Sequence, residues 1–169
     1  MPDRKTLRRA ERDKRDGKSP STQAGEFVRE EMEHIREGKH GARSPQQAIA
    51  IGLSKARRAG IELKPPSREK ASARTRRKAQ RDYQRGHGTA PARGASPRRR
   101  AAVTRALKRE PRESASPRAL AVHAHIAASR RSSSQRSAAA SRASRTKGHA
   151  KRSAAARKAA RTRAAHRRS

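Results

Sequence analysis

A chain of 169 residues with 47 Lys and Arg against 14 Asp and Glu, a formal net charge of +33, is far from the balanced composition of ordinary globular domains. Apolar residues are 30% of the chain and mostly Ala, with one Phe, one Tyr and no Trp, so a single large core is excluded and much of the chain is expected to be disordered when free. No Cys is present, which excludes disulfides, thiolate metal sites and cysteine nucleophiles; no run of 18 apolar residues and no secretion-type leader is found, so a cytoplasmic chain with no membrane partner is expected.

In chain order, residues 1–18 form a charged N-terminal helix or arm, with Leu7 as its one large apolar side chain. Residues 19–64 read as a helical hairpin. Its first helix runs from Thr22 to Glu37 with Ala24, Phe27, Val28, Met32 and Ile35 at helical spacing, and Gly38 stops it. Its second begins at Ser44-Pro45, where Ser44 and Gln47 make a capping-box pattern; Ile49, Leu53 and Ala56 share a face, and Gly60 ends it with Ile61 closing the cap. A connection of about six residues predicts antiparallel packing. The hairpin alone is marginal, so dimerisation through residues 19–64 or docking on a polyanion is the expected remedy.

Residues 65–113 are expected to hold a basic solvated helix without an apolar face (67–85), a Gly/Pro/Ala linker and a short Ala/Leu segment (101–110). Ser-Pro recurs at Ser19, Ser44, Ser96 and Ser116, each a candidate helix start with Ser capping and Pro in the first turn. Residues 114–169 form an Ala/Ser/Arg/Lys tail expected to be disordered, within which 117–128 is a candidate transient helix. The fold class expected is therefore mostly α: a short helical hairpin followed by solvated helices and a largely disordered basic tail.

Charge is distributed unevenly. Residues 1–64 hold 16 basic and 10 acidic residues, 65–113 hold 16 and 4, and 114–169 hold 15 and none. Within the last segment, Arg136–Thr146 and Arg152–Thr162 match at 8 of 11 positions with a 16-residue offset. Cations spaced every few residues among slim Ala and Ser suit successive phosphates, and neutralising them favours helix, since Ala and Arg are good helix formers. The candidate nucleic-acid-binding residues are Lys55, Arg57 and Arg58 at the end of the hairpin, with Arg136, Arg142, Arg145, Lys147, Lys151, Arg152, Arg157, Lys158, Arg161, Arg163, Arg167 and Arg168 in the tail.

The six-residue turn is longer than that of a helix-turn-helix, and Pro45-Gln46-Gln47 offers few base-reading side chains. Only Phe27 and Tyr83 could supply stacking platforms, which disfavours aromatic single-strand readers. His34 and His40, near Glu33 and Glu37, and the pair His123 and His125 are read as solvated or phosphate-contacting, so no metal and no cofactor is expected. No nucleophile–base pattern, phosphate-cradling loop or dinucleotide fingerprint occurs, and no enzyme is expected.

The stretch Phe27-Val-Arg-Glu-Glu-Met-Glu-His-Ile-Arg-Glu-Gly-Lys39 followed by Ser44-Pro-Gln-Gln-Ala-Ile-Ala-Ile-Gly-Leu-Ser54 resembles a family of small bacterial proteins of unknown function, whose recurring feature is a Gln-Ala-Ile-Ala-Ile-(Ala/Gly)-Leu-Ser helix after a Glu/Lys-Gly turn. The resemblance covers about residues 20–60 and implies no activity, although members are sometimes labelled DNA-binding. The tail is similar in composition to those of linker histones and bacterial histone-like proteins. Together these features lead to an expectation of non-sequence-specific, nucleoid-associated binding of duplex DNA through phosphates, with RNA or ribosome binding as the alternative.

Overall fold

A computed structural model describes residues 2–89 and 96–166, with side chains for all of these except 146–152 and 166. The chain is helical throughout its regular structure: α1 (Arg4–Arg15), α2 (Pro20–Arg36), α3 (Pro45–Arg58), α4 (Ala73–Gly86), α5 (Pro97–Arg109), a 3-10 turn (Glu113–Ala115), α6 (Pro117–Ser129) and α7 (Ser133–His166). No strand occurs among the described residues. Two compact units result, Met1–His123 and Ala124–Ser169.

All four Ser-Pro dipeptides start helices. The side chains of Ser19, Ser44, Ser96 and Ser116 accept the backbone N–H groups of Thr22, Gln47, Arg99 and Ala119, three residues on in each case. Each Pro then sits in the first turn, where a missing N–H costs nothing. The capping box is shifted by one residue: Gln47 Oε1 accepts the amide of Arg43 at 2.9 Å, not that of Ser44. At the other ends, Gly38 and Gly60 take φ of +76° and +84°, and the following residues donate back to His34 and Ala56 at 3.0 and 3.2 Å. This is the six-to-one closure that a left-handed residue permits.

The α2–α3 hairpin is the centre of the first unit, flanked by α1 against α2 and α4 against α3. One half of its core is Met32, Ile35, Ala42, Ala48 and Ala115, with Val28, Ile49 and Leu120 packed on it. The other half is Ala10, Ala24, Phe27 and Ala56, bordered by Leu7, Leu53, Ala59, Ile61 and Leu63. Most of the stripe predicted from spacing is thus inside. Its cover is intramolecular: α1, residues 61–63, the 3-10 turn and the start of α6 occupy the apolar faces that hairpin dimerisation would have used.

Two parts of the fold differ from expectation, each because small residues allow approach without a large apolar face. Helix α4 packs on α3 through buried Ala79 and Asp82, and Gly86 lies against the Arg57 carbonyl and the Gly60 amide so closely that a Cβ there would clash with backbone. Residues 107–120, expected as basic linker and tail, return to the hairpin tip: Gly41 and Ala42 donate to the carbonyls of Leu107 and Pro111 at 2.8 and 3.0 Å, and Arg36 Nε donates to Ala115 O at 2.9 Å. The first unit accordingly continues to His123, past the expected boundary at 113. In the tail, Ser133–His166 is one continuous helix of 34 residues, about 50 Å long, where disorder is expected for the free chain. Ala, Arg, Lys and Ser account for nearly all of it, and their intrinsic preference is helical or neutral.

Candidate nucleic-acid interface

Lys55, Arg57 and Arg58, which the sequence points outward toward phosphate, are held by the fold in different degrees. The Lys55 side chain is 18% exposed; its ammonium donates to Glu30 Oε1 at 3.2 Å and lies 2.7 Å from Glu31 Oε2. Arg57 is 8% exposed and donates from Nε to the Leu63 carbonyl at 3.1 Å, clamping the segment after α3. Burial lowers its pKa and Asp82 opposes that shift, but a guanidinium keeps its proton in either case. Arg58 is exposed, donating to Ser54 O at 3.1 Å with Asp82 at 3.7 Å. Lys55 and Arg57 are therefore internal partners, and Arg58 is the member of this set that solvent reaches.

The hairpin needs these cations because α2 buries two adjacent carboxylates. Glu30 and Glu31 are 2% and 0% exposed, and such charges stay inside only when paired or hydrogen-bonded. Burial pushes the Glu30 carboxyl up, but Thr6, the Asp3 amide and Lys55 together hold it below the ordinary carboxylate range. Most acidic residues of the first unit are engaged in the same way: Asp13 with Lys18, Glu26 with Arg9 and Arg29, Glu110 with Arg43, Asp82 with Arg58.

The cations that remain at the surface fall on helix faces. Helix α1 turns Thr6, Ala10 and Asp13 inward, so that Arg4, Lys5, Arg8, Arg9 and Arg12 line one shallow groove on its outer side; Arg9 is paired with Glu26 at 2.7 Å, and the other four are exposed. Sequence inspection missed this face, although the spacing Arg4, Arg8, Arg12 with Lys5, Arg9 is a four-residue ladder. On α4, Arg74, Arg77, Lys78 and Arg81 are exposed, and on α5 so are Arg98, Arg99, Arg100, Arg105, Lys108 and Arg109.

Helix α7 carries the densest set. Arg136, Arg142, Arg145, Arg157, Lys158, Arg161 and Arg163 are all exposed and no acidic residue lies anywhere on it. The side chains of Lys147, Lys151 and Arg152 lie outside those described, and Arg167 and Arg168 lie outside the described residues. A 16-residue step turns a helix by about 160° and advances it by about 24 Å, so equivalent repeat positions such as Arg145 and Arg161 fall on opposite sides. Its described cations spread over about 220° of the helix circumference, and the remaining sector carries Ser, Thr and Ala, with no large apolar side chain among the described residues.

No helix among the described residues is long and apolar enough to cross a membrane. No family model, curated protein or solved structure matches the chain.

Proposed function

We propose that this protein binds duplex DNA without reading its sequence, as a nucleoid-associated, histone-like protein that acts through phosphate contacts and not as an enzyme. The observation that carries this reading is α7: exposed cations on opposite sides of one helix, with no acidic residue among them. Charge of that kind is stabilised by a polyanion, and release of condensed counterions from the duplex supplies the driving force. Cations on opposite sides of the helix suit contact with two duplex segments at once, so the tail both coats and bridges. Helical structure in α7 is favoured further when phosphates relieve the repulsion between its cations.

The exposed faces of α1, α4 and α5 add weaker, dispersed phosphate contacts. A DNA-reading role for the hairpin gains no support from Lys55 and Arg57, which are engaged inside the fold. The apolar faces of the hairpin are already covered, so this reading requires no dimer through residues 19–64.

The test is binding of the full chain to one duplex and to one structured RNA across a salt series. If about ten tail cations meet phosphate, log K falls against log salt with a slope near −9 on duplex DNA. Tighter binding to the duplex at matched salt supports the proposal; tighter binding to the RNA replaces it with an RNA- or ribosome-associated role.

A further inference from the structure

The end of α2 and the loop after it gather more carboxylate than the neighbouring cations balance. Glu31 faces inward from α2, completely buried, and neither of its oxygens receives a hydrogen bond of acceptable geometry. The Lys55 ammonium lies 2.7 Å from Oε2, yet its aligned hydrogen bond goes to Glu30, so at Glu31 it acts as a nearby charge and not as a directed donor. Asp3 and Glu30 stand beside this pair, and Lys39, paired with Glu37, also feels both of them, so three carboxylates face Lys55 and a Lys39 already shared with a fourth.

Two histidines, at 13% and 16% side-chain exposure, complete the cluster. The sequence suggests Glu33 and Glu37 as their neighbours, but helical spacing turns Glu33 and Glu37 to the outer face, and His34 and His40 meet Glu31 and Asp3 instead. His40 places Nε2 at 3.2 Å from Glu31 Oε1. Its other nitrogen, Nδ1, is 3.0 Å from the Gly41 carbonyl, an atom that can only accept. Nδ1 therefore carries the proton in the neutral ring, and the bare lone pair of Nε2 points at a bare carboxylate oxygen. In that neutral form two acceptors face each other, an arrangement that either a proton on Nε2 or a metal cation between them resolves. A ring nitrogen anchored on a backbone carbonyl while the other faces an acid is also how metal-binding histidines are oriented. His34, three residues after Glu31 on the same helical face, brings a nitrogen into the same group: ligand atoms of Glu31, His34 and His40 all lie within 4.8 Å of one another.

We propose that Glu31, His34 and His40 form a binding site for one divalent cation of the zinc class. Two imidazoles and one carboxylate suit a borderline metal in tetrahedral coordination with a fourth position for water, and they do not suit magnesium or calcium, which take oxygen ligands. The Glu31 oxygen facing His40 is the ligand, and the one facing Lys55 keeps that ammonium as an outer partner. Asp3 lies 3.3 Å from His34 Nε2 and orients or supplements that ligand from the N-terminal segment. A cation here ties α2 to the loop that carries Gly41 and Ala42, whose amides hold residues 107–111. Small domains with few large core residues are commonly stapled in this way.

The experiment is a titration of full-length, chelator-treated protein with Zn²⁺ alone, followed by histidine ring nitrogen shifts and by calorimetry. One equivalent should bind, moving the rings of His34 and His40 ahead of those of His87, His123 and His125, and thermal unfolding should shift upward and return when chelator is added. His40→Ala should weaken that binding at least about tenfold, whereas His123→Ala/His125→Ala should leave it unchanged. Absence of stoichiometric binding, or binding that leaves the His34 and His40 rings unmoved in the unsubstituted protein, overturns the proposal even if the variants fail to fold.

Discussion

Gly52 of α3 rests on the backbone of Val28 in α2: a Cβ at position 52 would lie 2.7 Å from Val28 Cα and 3.0 Å from the Phe27 carbonyl. The closest approach of the two hairpin helices is set by this missing side chain. Gly52→Ala gains about 1 kcal/mol of helix propensity, but it pushes against backbone that cannot rotate away, an overpacking cost of about 1–3 kcal/mol. We expect net destabilisation in urea or thermal unfolding, and a variant that melts higher than the parent would show that the helices are farther apart.

Phe27 is the largest fully buried side chain, in contact with α1, α3 and the segment after α3. Phe27→Ala should cost about 3–5 kcal/mol. Ser44→Ala, which removes one cap from α3, should cost about 1 kcal/mol. If the two substitutions cost the same, the cluster around Phe27 is not the main core.

Lys55 and the α7 cations should separate stability from binding. Lys55→Met leaves Glu30 and Glu31 buried without their ammonium and is expected to lower stability by about 3–5 kcal/mol, with little change in the salt slope of duplex binding. The triple change Arg157→Gln, Arg161→Gln and Arg163→Gln should leave unfolding of the first unit unchanged while flattening that slope by about 0.9 for each phosphate that is no longer neutralised. A salt slope that responds to Lys55 and not to α7 would relocate the interface to the hairpin.

Glu62 joins the segment after α3 to α4, accepting from Tyr83 Oη at 2.6 Å and meeting His87 Nε2 at 2.8 Å, with the Tyr83 and His87 rings stacked. The Tyr83 hydrogen bond, then His87, holds the Glu62 carboxyl below its ordinary range. His87 is held above the ordinary imidazole value, first by the Tyr83 carbonyl and, against the opposing effect of burial, by Glu62. A raised imidazole contributes fully below its ordinary value and loses its contribution as pH rises through the raised one. A depressed carboxylate contributes above its ordinary value and loses it as pH falls through the depressed one. The contact is therefore firmest between about pH 4.5 and 6.5 and loosens on either side. Glu62→Gln should lower the His87 titration midpoint seen by NMR, and an unmoved midpoint would remove Glu62 from the contact.

Local signals were legible where a residue acts on its own neighbours. Four Ser-Pro starts, the glycine stops at 38 and 60, and the stripe from Ala24 to Ile35 depend on spacing along one chain, and all are found in place. Ala79, Gly86 and Ala115 gave no such signal, because small residues announce neither face nor partner and matter only where another backbone comes close. The outward face of α1 lay in plain view as a ladder of cations, and it gained meaning only once Thr6, Ala10 and Asp13 were seen to turn inward.

The sequence by itself determined the helical content, the hairpin and the concentration of positive charge in the last third, since propensity, periodicity and charge are properties of the chain before it folds. Tertiary structure decided which cations stay at the surface and which are drawn inside: Lys55 and Arg57 look like surface charges in the sequence, yet they sit opposite Glu30, Glu31 and Leu63. It also brought His34, His40 and Glu31 together across a helix end and a loop. A charge acquires its role from its partners in space, and those partners are fixed only when the hairpin closes.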